Sequence, residues 1–270
     1  MGTRGLIGYY SKGITKATYN HYDSYPSYLG EEVRDYIAER TPSELYDDFQ
    51  GIRLINEDDE ITPEDVIKYT NFWYGDVGKH FINGDLRMEQ GWYDLLRERQ
   101  GDFSAYAEIG LMIDGADFIK DSLFCEWAYL INLDRGVLEV YRGFQTKVPK
   151  KNRYALSKEV IAEKKAKIKS EGRGQYYTWI NNGKKEKIFH KNHAYYNCDL
   201  IAQIPLDMVE DFDMSMFQDI IYMVEETGDG HVGEVIPKDV FGTEAIRSTF
   251  QPSVLAVIGL ITIEDNGAMA

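Results

Sequence analysis

A chain of 270 residues, 43% hydrophobic and 28% charged, can bury a substantial core, which excludes wholesale disorder and leaves one large domain or two small ones. Two cysteines, Cys125 and Cys198, are too few for a disulfide framework, so a reducing, cytoplasmic setting is expected. No apolar run reaches the length of a membrane span, MGTRGLIGYY lacks the apolar core of a signal peptide, and Leu6 stands where the myristoylation pattern wants Ser or Thr.

In chain order, RGLIGYY and ITKATYNHY, joined through SKG, predict an N-terminal β-hairpin over about 4–19. YPSYLG reads as a loop. EEVRDYIAER begins a helix with Val33, Tyr36 and Ile37 on one face, and Pro42-Ser43-Glu44 restarts a helix through ELYDDFQGI. After an acidic turn, Pro63 opens another helix with Glu64 and Asp65 behind it. WYDLLRERQGDFSAYAEIGLMI reads as mostly helical, broken or bent near Gly101.

SLFCEWAYLINLD and VLEVYRGF flank an Asp-Arg-Gly turn and predict a second, central hairpin over 123–142. YALSKEVIAEKKAKIKSEGRG suggests a helix with Leu156, Val160, Ile161 and Ile168 inward, and YYTWINNGKKEKIFHK a lysine-rich hairpin across Asn-Asn-Gly. AYYNCDLIAQIPL offers a later strand closed by Pro205, and LDMVEDFDMSMFQDIIYMVEE an amphipathic helix. The fold class expected is α+β: a layered antiparallel sheet of two hairpins plus a later strand, packed with helices. Residues 1–146 and 194–226 form its core, 147–193 a basic insertion, and 227–270 a C-terminal extension of unassigned structure.

Charge is divided unevenly along the chain. Residues 1–144 carry 14 Lys and Arg against 27 Asp and Glu, residues 145–193 carry 14 against 4, and residues 194–270 carry 2 against 14. A net +10 segment on an otherwise net −25 chain is a statement about the field around the molecule. The basic segment is either a protein-docking arm, with Lys150, Lys151, Lys164, Lys165, Lys184 and Lys185 as partner contacts, or a solvated lysine-rich helix. As an arm it would seek an acidic protein or the acidic body of a second copy, giving a homo-oligomer. Lysines interleaved with Tyr154, Tyr176, Tyr177 and Trp179 also suit nucleic acid or a nucleotide, but the acidic remainder would repel a long polyanion.

GTRG at 2–5, YNHYDSYPSYLG at 19–30, DSLFCEWAYLINLD at 121–134 and LEVYRGFQT at 138–146 together resemble the pattern of a family of largely uncharacterised proteins found in bacteriophages, bacteria, fungi and large DNA viruses. PLDMVEDF at 205–212 is a weaker anchor. The resemblance implies a shared fold and brings no established activity; the basic insertion is not part of it. The order of hairpin, helices and central hairpin is also similar to that of N-terminal-nucleophile hydrolases, with their αββα sandwich. That chemistry needs a terminal Cys, Ser or Thr, whereas Met removal here exposes Gly2, with Thr3 one place too late.

The stretch 19–30 gathers His21, Asp23, Ser24 and four tyrosines. On a strand, His21 and Asp23 share a face, so the carboxylate could hold the imidazole's tautomer as a general base requires. Glu126, inside an apolar run, could pair with Arg4 or His21 or act as an acid. One reading is therefore a hydrolase-like enzyme acting on a small anionic or amide substrate, with His21, Asp23 and Glu126 catalytic and Arg4, Asn20, Ser24 and Tyr25 contacting the ligand. The other is that Asn, Asp, Ser and Pro here build a turn by local hydrogen bonds. In that case the protein is a phage- or virus-type interaction protein that binds and inhibits or sequesters a host factor, a defence protein being one candidate. Cys125 reads as a core residue, His80 and His231 as surface residues, and His190-x-x-His193 with Cys198 and Asp199 lacks the spacing of a zinc site. No cofactor, metal or membrane partner is expected.

Overall fold

The computed structural model describes residues 2–69, 81–82, 85–86, 91–149, 152–172, 174–181 and 184–217. The N-terminal hairpin is β1 (Gly5–Ser11) and β2 (Ile14–Asn20), turned by Lys12 and Gly13 at φ +50° and +83°, the left-handed pair that a two-residue hairpin loop requires. Helix α1 (Glu31–Ala38) follows and buries Val33, Tyr36 and Ile37, the face expected from their spacing. Helix α2 (Pro42–Gly51) has Pro at its first position and a capping box between Thr41 and Glu44. It leads into β3 (Arg53–Ile55), α3 (Pro63–Tyr69), the short pair β4 (Phe81–Ile82) and β5 (Asp85–Leu86), and α4 (Trp92–Leu96).

Near Gly101, where a break or bend is expected, the helical stretch is interrupted. Helix α5 (Phe103–Ile109) starts afresh at an Asp102 cap and stops at Gly110, whose φ of +65° is a left-handed C-cap. The apolar LMI beyond it is strand β6 (Leu111–Ile113), parallel to β3. Next come β7 (Trp127–Asn132), β8 (Val137–Arg142), α6 (Lys158–Glu171), β9 (Gly174–Asn181), β10 (Lys184–Lys191) and β11 (Asp199–Pro205).

The main sheet has the order β11-β8-β7-β1-β2. The α+β class holds, with one correction: the two hairpins join side by side through β1 and β7, which run parallel, so the sheet is mixed. A parallel joint requires a long crossover, and the helical segment between the hairpins supplies it. All six residues of β7 are buried because both faces of this central strand are covered. Ile7, Tyr9, Tyr129, Ile131, Leu138 and Val140 point to the main core, against α1, α2, α4 and α5. Leu6, Ala17, Ala128, Leu130 and Tyr141 point to a smaller core, closed by Ile119, Cys125, Tyr154 and Cys198. Among the described residues no second large sheet lies on that face, so the αββα arrangement is not reproduced.

Two further expectations are corrected. Residues 122–124 form a turn, so the second hairpin begins at Trp127 and not at 123: Cys125 joins the smaller core and Trp127 the main one. Of the amphipathic helix expected after Pro205, the described part to residue 217 is mainly a 3₁₀ turn at Val209–Asp211, anchored by Val209, Phe212, Met214 and Phe217. The C-terminal extension, His80 and His231 lie outside the described residues.

Candidate functional site

The end of β2 turns sharply, and its polar residues hold the turn. Asn20, buried, donates from Nδ2 to the Tyr22 carbonyl at 3.0 Å and to Ser24 Oγ at 2.9 Å. Ser24, also buried, donates to the same carbonyl, while its amide bonds to the Thr3 carbonyl and its own carbonyl accepts from Tyr129 Oη. A Cβ on Gly5 would come within 2.6 Å of the Ser24 side chain, so glycine is what lets the turn close on β1. Asp23 Oδ1 accepts from the Tyr25 amide, and the Tyr25 ring packs against the main core. Asn20, Ser24, Asp23 and Tyr25 thus spend their polar groups or their bulk on the turn.

His21, Arg4 and Glu126 are arranged differently. Gly5 is in register with Asn20 on one side and Trp127 on the other, so one residue outward Arg4 falls between His21 and Glu126. Glu126 is half-buried and its Oε1 accepts from the Arg4 amide at 3.3 Å, while the Arg4 guanidinium lies over the Phe124 ring, 4.7 Å from its centre. The partner of His21 Nδ1 is the Tyr19 hydroxyl at 2.9 Å, in the place expected for Asp23, and its backbone amide donates to Gln100 Oε1.

Beside this row, along the outer edge of β2, lies a cleft of about 860 Å³. Three half-buried rings line it: Tyr19, Phe118 edge-on to Tyr19 at 5.0 Å, and Tyr93 at 6.3 Å. Glu57, Asp114 and Asp117 stand exposed at its rim. Burial pushes the Tyr19 hydroxyl's pKa up and Tyr93 adds to this, while the positive charges of Arg4 and Arg97 oppose it. Arg97 also stands over the Tyr93 ring at 6.0 Å and hydrogen-bonds Tyr22.

A second groove of about 570 Å³ runs from Asn20 along α1 and the start of α5, with Glu32, Asp35, Glu39, Glu98 and Asp102 among its walls. Burial, with the like charges of Asp102 and Asp35, raises the Glu32 pKa. Sequence reasoning missed Tyr93, Arg97, Gln100 and Phe118. They come from segments far from β2 in the chain, and only the fold brings them to its edge.

The basic arm is built apart from this region. Helix α6, capped by Ser157, buries none of its side chains; Lys165 is exposed and Lys164 half-buried. Of the residues expected inward, Val160 is 37% exposed and Leu156, Ile161 and Ile168 are half-buried. Among the described residues, strands β9 and β10 pair only with each other, in the hairpin expected; Lys185 is exposed there. Lys150 and Lys151 lie outside the described residues, as does the Lys184 side chain. The root of the arm is anchored: Asn152 reaches the Cys198 carbonyl, Tyr154 Oη bonds Thr15 Oγ1, and Arg153 pairs with Glu139.

His190 and His193 are exposed, whereas Cys198 is buried with Sγ directed to the Cys125 carbonyl. Among the described residues no group of three or more His, Cys, Asp or Glu could hold a metal ion, and no helix is long and apolar enough to cross a membrane. Burial raises the Cys125 thiol's pKa well above its ordinary value, the state of a packed core thiol and not of a nucleophile. Comparison of the chain with known protein families, with curated proteins and with solved structures finds no match.

Proposed function

We propose that this chain is an interaction protein whose basic arm, residues 147–193, docks on an acidic partner protein. The observation that carries this reading is α6: fourteen residues, five of them lysine, with no buried side chain, held at its root by buried bonds to the sheet. Among the described residues this helix adds no side chain to the core, which leaves it to act through its surface, and this surface is opposite in sign to the body that bears it. In keeping with the resemblance to proteins of bacteriophages and large DNA viruses, the partner is a host factor that the protein inhibits or sequesters, a defence protein being one candidate.

The test is native mass spectrometry of the full chain purified gently from its own host, beside a Lys164→Glu/Lys165→Glu/Lys185→Glu variant. The reading expects a stoichiometric protein partner that the variant loses and that dissociates as salt is raised. A partner retained by the variant with the same salt dependence rules the arm out as the docking element.

The hydrolase-like alternative rests on one specific arrangement, the row of His21, Arg4 and Glu126. It loses Asp23 as the orienter of His21 and keeps Tyr19 in that role. Under it, Arg4 anchors an anionic or amide substrate, His21 serves as base and Glu126 as acid. Turnover that disappears in His21→Ala, at an unchanged melting temperature, is its signature.

A further inference from the structure

The edge of β2 has a feature that neither the turn nor the arm uses. Leu6 and Tyr19 face each other in the hairpin at a position where neither exchanges backbone hydrogen bonds with the other, since Ser11 and Ile14 close the turn and bonded pairs alternate from there. The Tyr19 N–H and C=O therefore point outward, to the free edge of the sheet. The equivalent Ala17 carbonyl is taken by the Gly115 amide at 2.8 Å, but nothing among the described residues pairs with those of Tyr19. A Cβ at position 115 would come within 2.9 Å of the Tyr19 nitrogen, so glycine there keeps a side chain off this donor.

An adjacent main-chain donor and acceptor, flanked by aromatic rings, is what the edge of a nucleobase needs: a ring nitrogen accepts, an amino group donates, and the rings cover the π-face. Charge is also polarised along the cleft. Asp114 and Gly115 sit beside Ala17, four residues before His21, a separation of about 13 Å along a strand. Asp114 and Asp117 line one end, Asp117 with Lys120 on one of its oxygens at 2.5 Å, while Arg4 and Arg97 stand just outside the lining at the other, where their charges reach the Tyr19 hydroxyl and Arg97 lies over the Tyr93 ring at 6.0 Å. A ligand with amino groups at one end and a phosphate at the other matches that polarity. A simple cation would leave the arginine end unused, and free phosphate would leave the rings unused.

We propose that the cleft between Tyr19, Tyr93 and Phe118 binds a nucleoside monophosphate, with the base read by the Tyr19 main chain and the phosphate held by Arg97 and Arg4. This site is separate from the arm and stands or falls independently of it. Asp114 and Asp117 accept from amino groups of the base and repel the phosphate, which sets the ligand's direction.

The experiment is isothermal titration of the full chain with AMP, GMP, CMP and UMP, and with adenosine, ribose 5-phosphate and inorganic phosphate as fragments. The expected result is saturable binding of at least one nucleotide, with its fragments weaker by about tenfold or more. Arg97→Ala and Phe118→Ala should each weaken that nucleotide by about tenfold without moving the melting temperature appreciably. Gly115→Ala should do the same by closing the Tyr19 donor; if it does not fold, the other two variants decide. Failure of all four nucleotides to bind at millimolar concentration overturns the proposal. So does binding of ribose 5-phosphate or adenosine as tight as that of the nucleotide, or affinity unchanged in both Arg97→Ala and Phe118→Ala.

Discussion

Arg153, at the root of the basic arm, is ion-paired with Glu139, a carboxylate only 1% exposed in the middle of strand β8. Asn132 Nδ2, Tyr141 Oη and Gln203 Nε2 also donate to this carboxylate, and the guanidinium lies over the Tyr10 ring at 3.8 Å. Removing one partner of a buried pair leaves a charge without compensation, so Arg153→Ala is expected to cost about 3–5 kcal/mol of folding stability in urea. Adding Glu139→Gln to that variant should recover most of the loss. A loss below about 1 kcal/mol would mean that water reaches the carboxylate, as at a surface pair.

The same pair shows what the sequence carried and what it did not. Both hairpins, the faces of α1 and the lysine-rich hairpin were legible because each follows from a period or a turn signal confined to a few adjacent residues. Glu139 left a trace, a charge between Leu138 and Val140 in a β-rich run, but its partner stands 14 residues later in a segment with no periodicity. The parallel joint of β1 to β7 left none, because strand neighbours more than a hundred residues apart are chosen by the whole core. At the site, Asn20, Ser24 and Asp23 were visible as polar residues near a turn. Whether they served the turn or a ligand depended on Thr3, Gly5 and Tyr129, which reach them only through the sheet.

The opening stretch should therefore divide under mutation. Asn20→Ala and Ser24→Ala strand buried hydrogen-bonding groups and are each expected to cost about 1–3 kcal/mol. His21→Ala removes a half-buried ring whose side-chain bond goes to a hydroxyl that water can serve, and should cost under about 1 kcal/mol. Denaturant melts of the three variants check this. Equal losses in all three would make His21 a structural member of the turn.

A second buried chain links β1 to two helices. Tyr9 Oη and Tyr36 Oη are 2.6 Å apart, Tyr36 Oη donates to Asp48 at 2.5 Å, and Arg40 holds the same carboxylate at 3.2 Å. Burial is the first cause of the raised pKa values of both phenols, which stay protonated and available to donate. Tyr36→Phe breaks the chain in the middle and leaves the Tyr9 hydroxyl unmatched, at an expected cost of about 1–3 kcal/mol. Tyr9→Phe in the same background should restore part of it, because no buried hydroxyl is then left without a partner. Additive losses in the double mutant would show that the two hydroxyls are not coupled.

Glu32, in the acidic groove, gives stability a pH dependence of definite sign. Its pKa is raised above the ordinary 4.5 by burial and by the charges of Asp102 and Asp35, so folding disfavours its ionised form. Its contribution is fully present below pH 4.5 and is lost as pH rises through the folded-state value. Glu32→Gln fixes the neutral form. The variant should match the parent below pH 4.5 and be the more stable at neutral pH, by under about 1 kcal/mol because solvent screens a partly exposed group. Melting curves of both proteins across that window test it. A gain that is the same at both ends would come from packing of the amide and not from charge, and a loss at neutral pH would mean that a cation neutralises the groove.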